Sequence, residues 1–200
     1  MTSSHYLTSI IRRSPILHLV LNRWSSIALP NCWVSGSAIA QTVWNASYGF
    51  PADHGLVDID LVYFDDSDLS ARREEMLAQR VRSLVPGLPV WIDAKNEARV
   101  HLWYADKFGY EIPPYMSVEQ AIATFPTTAG AVAVRPSPAG LEIFAPFGLA
   151  DMLGCTVRPN KAQITRSIYE AKVARWRAFW PELTIVPWDD DNGPLQSGKP

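Results

Sequence analysis

Val57-Asp-Ile-Asp-Leu-Val-Tyr-Phe64 is an apolar, β-prone run with two carboxylates set into it, Asp58 and Asp60. Side chains alternate across a strand with period two, so both carboxylates project from one face. Like charges held that close repel. Taking both out of water is costly unless a cation neutralises them or the strand ends at a wet rim. Hard oxygen donors at this spacing suit Mg²⁺ or Mn²⁺; the alternative is an acidic pair facing solvent on an edge strand. The aliphatic flanks predict a central strand.

Downstream, Asp65-Asp66-Ser67-Asp68 turns the chain and caps a helix expected from about 69 to 84, which Pro86-Gly87 ends. A second β run at 88–94 carries Asp93 among apolar neighbours, completing a strand, helix, strand unit. If that run pairs beside the first, Asp93 reaches the same site. Three carboxylates then hold two metal ions roughly 4 Å apart, one lowering the pKa of an attacking hydroxyl and the other holding a triphosphate. Alternatively, Asp93 N-caps a helix expected over 95–104. In that helix Asn96 and Arg99, three apart, share a face that presents Lys95 or Arg99 to phosphate oxygens. A plain surface helix with Lys95 and Glu97 outward is the other reading, and His101 reads as a core histidine with a satisfied hydrogen bond ahead of the alternative, a catalytic role.

Upstream, Trp33-Val34-Ser35 is a short strand that ends at Gly36-Ser37, before a helix expected over 38–46. Free amides and the positive terminus of a helix cradle phosphate, and glycine permits its close approach. The N-terminal segment 7–24 reads as two short helices divided at Ser14-Pro15, an N-cap followed by a first-turn proline. A helix at 118–125 and strands at 131–135 and 141–144 follow, so the sheet is mixed. The last periodic segment, 164–180, sets Ile168, Ala171, Val173, Trp176 and Phe179 at apolar positions. It is basic through Arg166, Lys172, Arg175 and Arg177, with Lys161 just before it. That is a solvated helix face, or a surface for an acceptor or RNA. Residues 1–188 form one expected domain, and 189–200, with no core residues, an expected disordered tail.

Composition bounds the rest. Two hundred residues with 48% apolar and 19% charged content are enough for one packed core and exclude extensive disorder. A net charge of −2 excludes a bulk positive field for nucleic acid or anionic membrane. Cys32 and Cys155 match no metal spacing and make no disulfide scaffold. With no leader or spanning segment read near the start, the expected location is the cytoplasm.

Trp33-Val-Ser-Gly-Ser37, Val57-Asp-Ile-Asp-Leu-Val62 and Ile92-Asp-Ala94 together resemble the nucleotidyltransferase fold of the DNA polymerase β superfamily: a glycine-serine turn, a two-carboxylate strand and a third carboxylate one strand later. Gly36-Ser-Ala-Ile-Ala-Gln-Thr-Val-Trp-Asn45, Asp58-Ile-Asp-Leu-Val-Tyr-Phe-Asp65, Lys95-Asn-Glu-Ala-Arg-Val-His-Leu-Trp-Tyr104, Ala145-Pro-Phe-Gly-Leu149 and Arg158-Pro-Asn160 resemble, more narrowly, a bacterial nucleotidyltransferase-like family. The resemblance implies a single α/β (α+β) domain with a mixed sheet flanked by helices. It also implies a metal-dependent enzyme that moves a nucleotidyl group from an NTP to an acceptor hydroxyl. Asp58, Asp60 and Asp93 are then the catalytic, metal-holding residues, with Mg²⁺ or Mn²⁺ as cofactor. Gly36, Ser37, Lys95, Asn96 and Arg99 are the expected nucleotide-binding residues, and the acceptor is a small molecule, RNA or protein. The loop 48–55 lengthens the gap between Gly36-Ser37 and Asp58 relative to the superfamily pattern, which implies a turn less tightly coupled to the carboxylates.

Two other readings stand beside this one. The fold could bind nucleotide or a protein partner without turnover. Alternatively, Asp58-Ile-Asp60-Leu-Val62 could be the nucleophile strand of a haloacid dehalogenase-type phosphatase, with Gly148-Leu-Ala-Asp151 as its later acidic element.

Overall fold

The computed structural model describes residues 2–190; of the expected disordered tail at 189–200, Asp189 pairs with Arg166 at 2.8 Å and the Asp190 amide donates to the Pro187 carbonyl, while 191–200 lie outside the described residues. The chain begins with α1 (Ser3–Arg13), α2 (Pro15–Leu21) and α3 (Trp24–Ile27), then β1 (Trp33–Ser35) and α4 (Ser37–Tyr48). Next come β2 (Asp58–Tyr63), α5 (Ala71–Leu84), β3 (Trp91–Asn96), a 3-10 turn (Glu97–Arg99) and α6 (His101–Phe108). The rest is α7 (Val118–Ile122), β4 (Ala133–Ser137), β5 (Gly140–Phe144), α8 (Ala150–Leu153), β6 (Thr156–Val157), α9 (Arg166–Phe179) and β7 (Thr184–Ile185). Ser14 does divide α1 from α2, its hydroxyl accepting from the Leu17 amide with Pro15 in the first turn.

β1 to β5 form a mixed sheet in the order β3-β2-β1-β4-β5. β2 and β3 are parallel, as the strand, helix, strand reading requires, and the remaining pairs are antiparallel. Ser35 is directly opposite Asp60, and Asp60 is level with Asp93. Alternation then gives the two faces different work. Val34, Ile59, Leu61, Tyr63, Ile92 and Ala94 point into the main core under α1, α4 and α5. The other face carries Ser35, Asp58, Asp60, Asp93 and Lys95, with Trp33 and Val62 packed against Val118 and Ile122 of α7.

The largest departure from the sequence reading lies at 95–104. β3 stays in register with β2 as far as Tyr63 opposite Asn96, so Lys95 and Asn96 are strand rather than helix. Asn96 is 1% exposed; its side chain accepts from the Asp65 amide, donates to the Asp65 carbonyl and caps the following turn through Ala98. This tertiary clamp overrides local helical periodicity, and the helix starts only at His101. The helix after β2 begins at Ala71, capped by Ser70, while Asp65 and Asp68 close their own short turns. In α9 the buried stripe is Tyr169, Val173 and Trp176, whereas Ala171 faces out and Phe179 is 40% exposed. Cys32 and Cys155 are free thiols. Among the described residues no helix is long and apolar enough to cross a membrane.

Candidate active site

The site starts at the end of β1. Gly36 has φ +73° and ψ −138°, a conformation that side chains strongly disfavour, and it leaves α4 with no side-chain cap. In the first turn of α4 the Ile39 amide donates to the Gly36 carbonyl at 3.2 Å, and the Ser37 and Ala38 amides have no acceptor among the described residues, which is the geometry that receives an anion. The loop 48–55 does not pull this turn away, because Ser35 and Asp60 are paired strand neighbours. The loop is itself fastened by Asn45, whose amide donates to the His54 carbonyl at 2.9 Å.

α9 brings a cation to the turn. Lys172 donates to the Ser37 hydroxyl at 3.0 Å and lies over the Trp176 ring at 4.5 Å. Burial first, and Arg175 second, pull its ammonium down to about 8 despite the opposing pull of Asp60 and Asp58. The helix is fixed there by aromatic packing: Trp44 meets Trp176 at 4.9 Å and Trp180 at 5.5 Å, and the Trp180 indole donates to Asn45 at 2.8 Å. Gly36, Ser37, Lys172 and Asp60 line one pocket, with Phe125, Pro126, Thr127 and Gly130 as its far wall.

Lys172 is the residue that sequence reasoning missed, since it was grouped with the solvated basic face. The available signal was its position: it shares a helical face with Tyr169, Val173 and Trp176, so one lysine of the basic set points inward.

Asp60 is pushed up to about 6, by burial first and then by Asp58, with Asp93 adding to it. Asp58, at the exposed start of β2, lies on the same face. Two hard carboxylate donors that repel each other suit a divalent cation, and Mg²⁺ commonly takes one or two carboxylates and completes its shell with phosphate oxygens and water. Asp93 shares the face but is held elsewhere: Lys95 lies 2.7 Å from its carboxylate and Arg82 3.7 Å. Among the described residues no three His, Cys, Asp or Glu side chains come together as a metal-holding group.

The remaining nucleotide-binding expectations divide. Lys95 lines a cavity with Asp60 and stays near the site. Asn96 is spent on Asp65, as above. Arg99 is ion-paired with Glu74 and donates to the Leu69 carbonyl at 3.2 Å, so its guanidinium ties α5 to the turn after β3. The Nδ1 atom of His101 is buried without a hydrogen-bond partner, contrary to the satisfied core histidine expected. Asp151 accepts from Thr128 at 2.6 Å and pairs with Arg158 at 3.0 Å, which removes it from any phosphatase-like acidic element beside Asp58.

On the β3 side of Asp60 a second cavity opens, walled by Trp103, Tyr104, Phe108, Tyr115 and Phe125, with Glu97 among its polar lining. Glu97 is 5% exposed. Burial first, then Asp60 and Glu74, push its carboxyl up to about 8. It was read as an outward helix residue; the longer strand and the 3-10 turn face it inward instead.

Residues 22–185 match the model of a nucleotidyltransferase family. Among solved structures, the chain is similar to a protein whose NMR structure reveals a CCA-adding enzyme head domain, with TM-score 0.76 and 21% identity over 92% of this chain and 95% of that one. It is also similar to the Thermotoga maritima CCA-adding enzyme complexed with tRNA, with TM-score 0.53 and 15% identity over 92% of this chain and 42% of that one. No curated protein matches the chain.

Proposed function

Because the chain belongs to that nucleotidyltransferase family, we propose that it transfers a nucleotidyl group from a Mg²⁺-bound NTP to an acceptor hydroxyl. The observation that carries this reading is the single pocket shared by the Gly36-Ser37 turn, Lys172 and Asp60. The β- and γ-phosphates lie against the α4 amides and Lys172, which offset their charge. Asp58 and Asp60 would hold the cation, which would supply charge neutralisation at the phosphate and acidify the acceptor hydroxyl. Asp93 keeps Lys95 at the mouth of the site, and its carboxylate would be open to a cation only if Lys95 were drawn off it. The protein's own contribution is mainly positioning and preorganised charge.

One solved neighbour is complexed with tRNA. A net charge of −2 gives this chain little counterion-release affinity for a phosphate backbone, which favours a compact acceptor over a long RNA. The engagement of Asp93 by Lys95 and Arg82 favours a second reading, nucleotide binding without turnover. Titration of a non-hydrolysable NTP with Mg²⁺ into wild type and Lys172→Met tests the shared binding step. A loss of at least tenfold in affinity in the variant supports it, and equal affinity contradicts it. Release of pyrophosphate from an NTP then separates turnover from binding alone.

A further inference from the structure

In displacement at phosphorus the attacking and leaving oxygens stand roughly in line, on opposite sides of the α-phosphorus. With the pyrophosphate against Gly36, Ser37 and Lys172, on the β1 side of Asp60, the acceptor approaches from the β3 side. There lies the second cavity, of about 210 Å³, which shares Asp60, Phe125 and Pro126 with the phosphate pocket.

Its lining has a definite chemistry. Trp103, Tyr104, Phe108 and Tyr115 present ring surface, and Glu97 presents a carboxyl that is 5% exposed and makes no hydrogen bond or ion pair with the described residues. The nearby cation, Lys95, has its charge taken by Asp93 at 2.7 Å. A buried carboxyl with no partner is unfavourable until a ligand supplies one. An ammonium group satisfies it, and aromatic faces attract the same charge.

We infer that this cavity is the acceptor site and takes a small hydroxyl compound bearing a protonated amine, held by Glu97 among the rings. This rests on the transfer reading above. The acceptor oxygen bonds to the α-phosphorus as the bond from that phosphorus to the bridging oxygen of the β-phosphate breaks. Pyrophosphate departs with the electron pair toward Ser37 and Lys172, and the hydroxyl proton passes to water.

The test uses matched probes that differ in the amine, glucosamine against glucose and tyramine against 4-ethylphenol. Binding to the full chain is read by ligand-observed NMR, with and without a Mg²⁺-bound non-hydrolysable NTP. At least one amine should bind wild type tenfold or more tightly than its neutral counterpart, alongside the NTP. Glu97→Gln should abolish that preference, and Trp103→Leu should weaken amine binding as an independent check on the rings. Equal binding within both pairs, no amine binding, or a preference kept in Glu97→Gln overturns the inference. So does displacement of the amine by the NTP, which would put the nucleobase in the cavity. NTP binding without amine preference leaves the transfer reading standing and removes only this inference; no NTP binding removes the transfer reading itself.

Discussion

Lys172 reaches Ser37 at 3.0 Å across 135 residues of sequence, so the last long helix and the first turn of α4 meet in the pocket that Asp60 also lines. A lysine packed inward beside Asp60 and poor in water is unfavourable in the empty fold, as its lowered value of about 8 records. We therefore expect Lys172→Met to weaken Mg²⁺-bound NTP tenfold or more while leaving the melting temperature unchanged or raised. Calorimetric titration and thermal melting of the same variant check both halves.

Asp60 gives a similar opposition between stability and activity. Asp60→Asn keeps the shape of the side chain and removes its repulsion with Asp58 and Asp93. At pH 7.5 the metal-free variant should melt a few degrees above wild type, and its turnover should fall at least a thousandfold. A variant less stable than wild type would contradict the assignment of Asp60 as a strained carboxylate.

The pH dependence follows from three groups. Asp60, ordinarily near 3.8, is held at about 6, and Glu97, ordinarily near 4.5, at about 8. For both, the folded chain binds the proton more tightly than the unfolded one. Their contribution is full below the ordinary values and is lost as pH rises through the folded ones. Lys172 runs the other way: folded it loses its proton at about 8, unfolded near 10.5, so stability recovers above pH 8. Urea denaturation of the metal-free protein should show a minimum near pH 8, and Glu97→Gln should flatten the fall between pH 6 and 8. A steady rise from pH 5 to 8 would contradict it.

Gly36→Ala tests the turn. An added Cβ would sit 3.6 Å from Phe125, in ordinary contact, so the cost lies in the φ of +73° rather than in crowding. The expected loss is about 1–2 kcal/mol of stability, with weaker NTP binding, read by denaturant titration and calorimetry.

Asn96 separates structural from nucleotide-binding roles. Asn96→Ala should cost about 1–3 kcal/mol, because it leaves the Asp65 amide and carbonyl unpaired. NTP affinity should stay within twofold. A selective loss of affinity would return Asn96 to the nucleotide.

These cases mark what was legible in the sequence. Asp58 and Asp60 were readable because strand alternation is local, and Gly36-Ser37 because glycine punctuates a strand-to-helix turn. Lys172 was hidden among four outward basic residues of similar spacing, although the apolar stripe of α9 pointed to it. Asn96, Glu97 and Arg99 were misread together: pairing of β3 with β2 extends the strand past Lys95, and no local pattern announces a partner such as Asp65 or Glu74. Asp93 was placed on the right face; its pairing with Lys95 follows from alternation only once the strand is extended past Ala94, and its contact with Arg82 depends on α5, which spacing does not encode.

The most direct test of the central claim is the thermal melting of wild type, Asp60→Asn and Lys172→Met with each NTP, with and without Mg²⁺. An NTP at about 100 times its dissociation constant adds about 2.7 kcal/mol. The account predicts a shift of roughly 5–10 °C in wild type for at least one NTP, dependent on Mg²⁺, lost in Asp60→Asn and reduced to about half or less in Lys172→Met. No shift with any NTP, or an equal shift in Asp60→Asn, would contradict it.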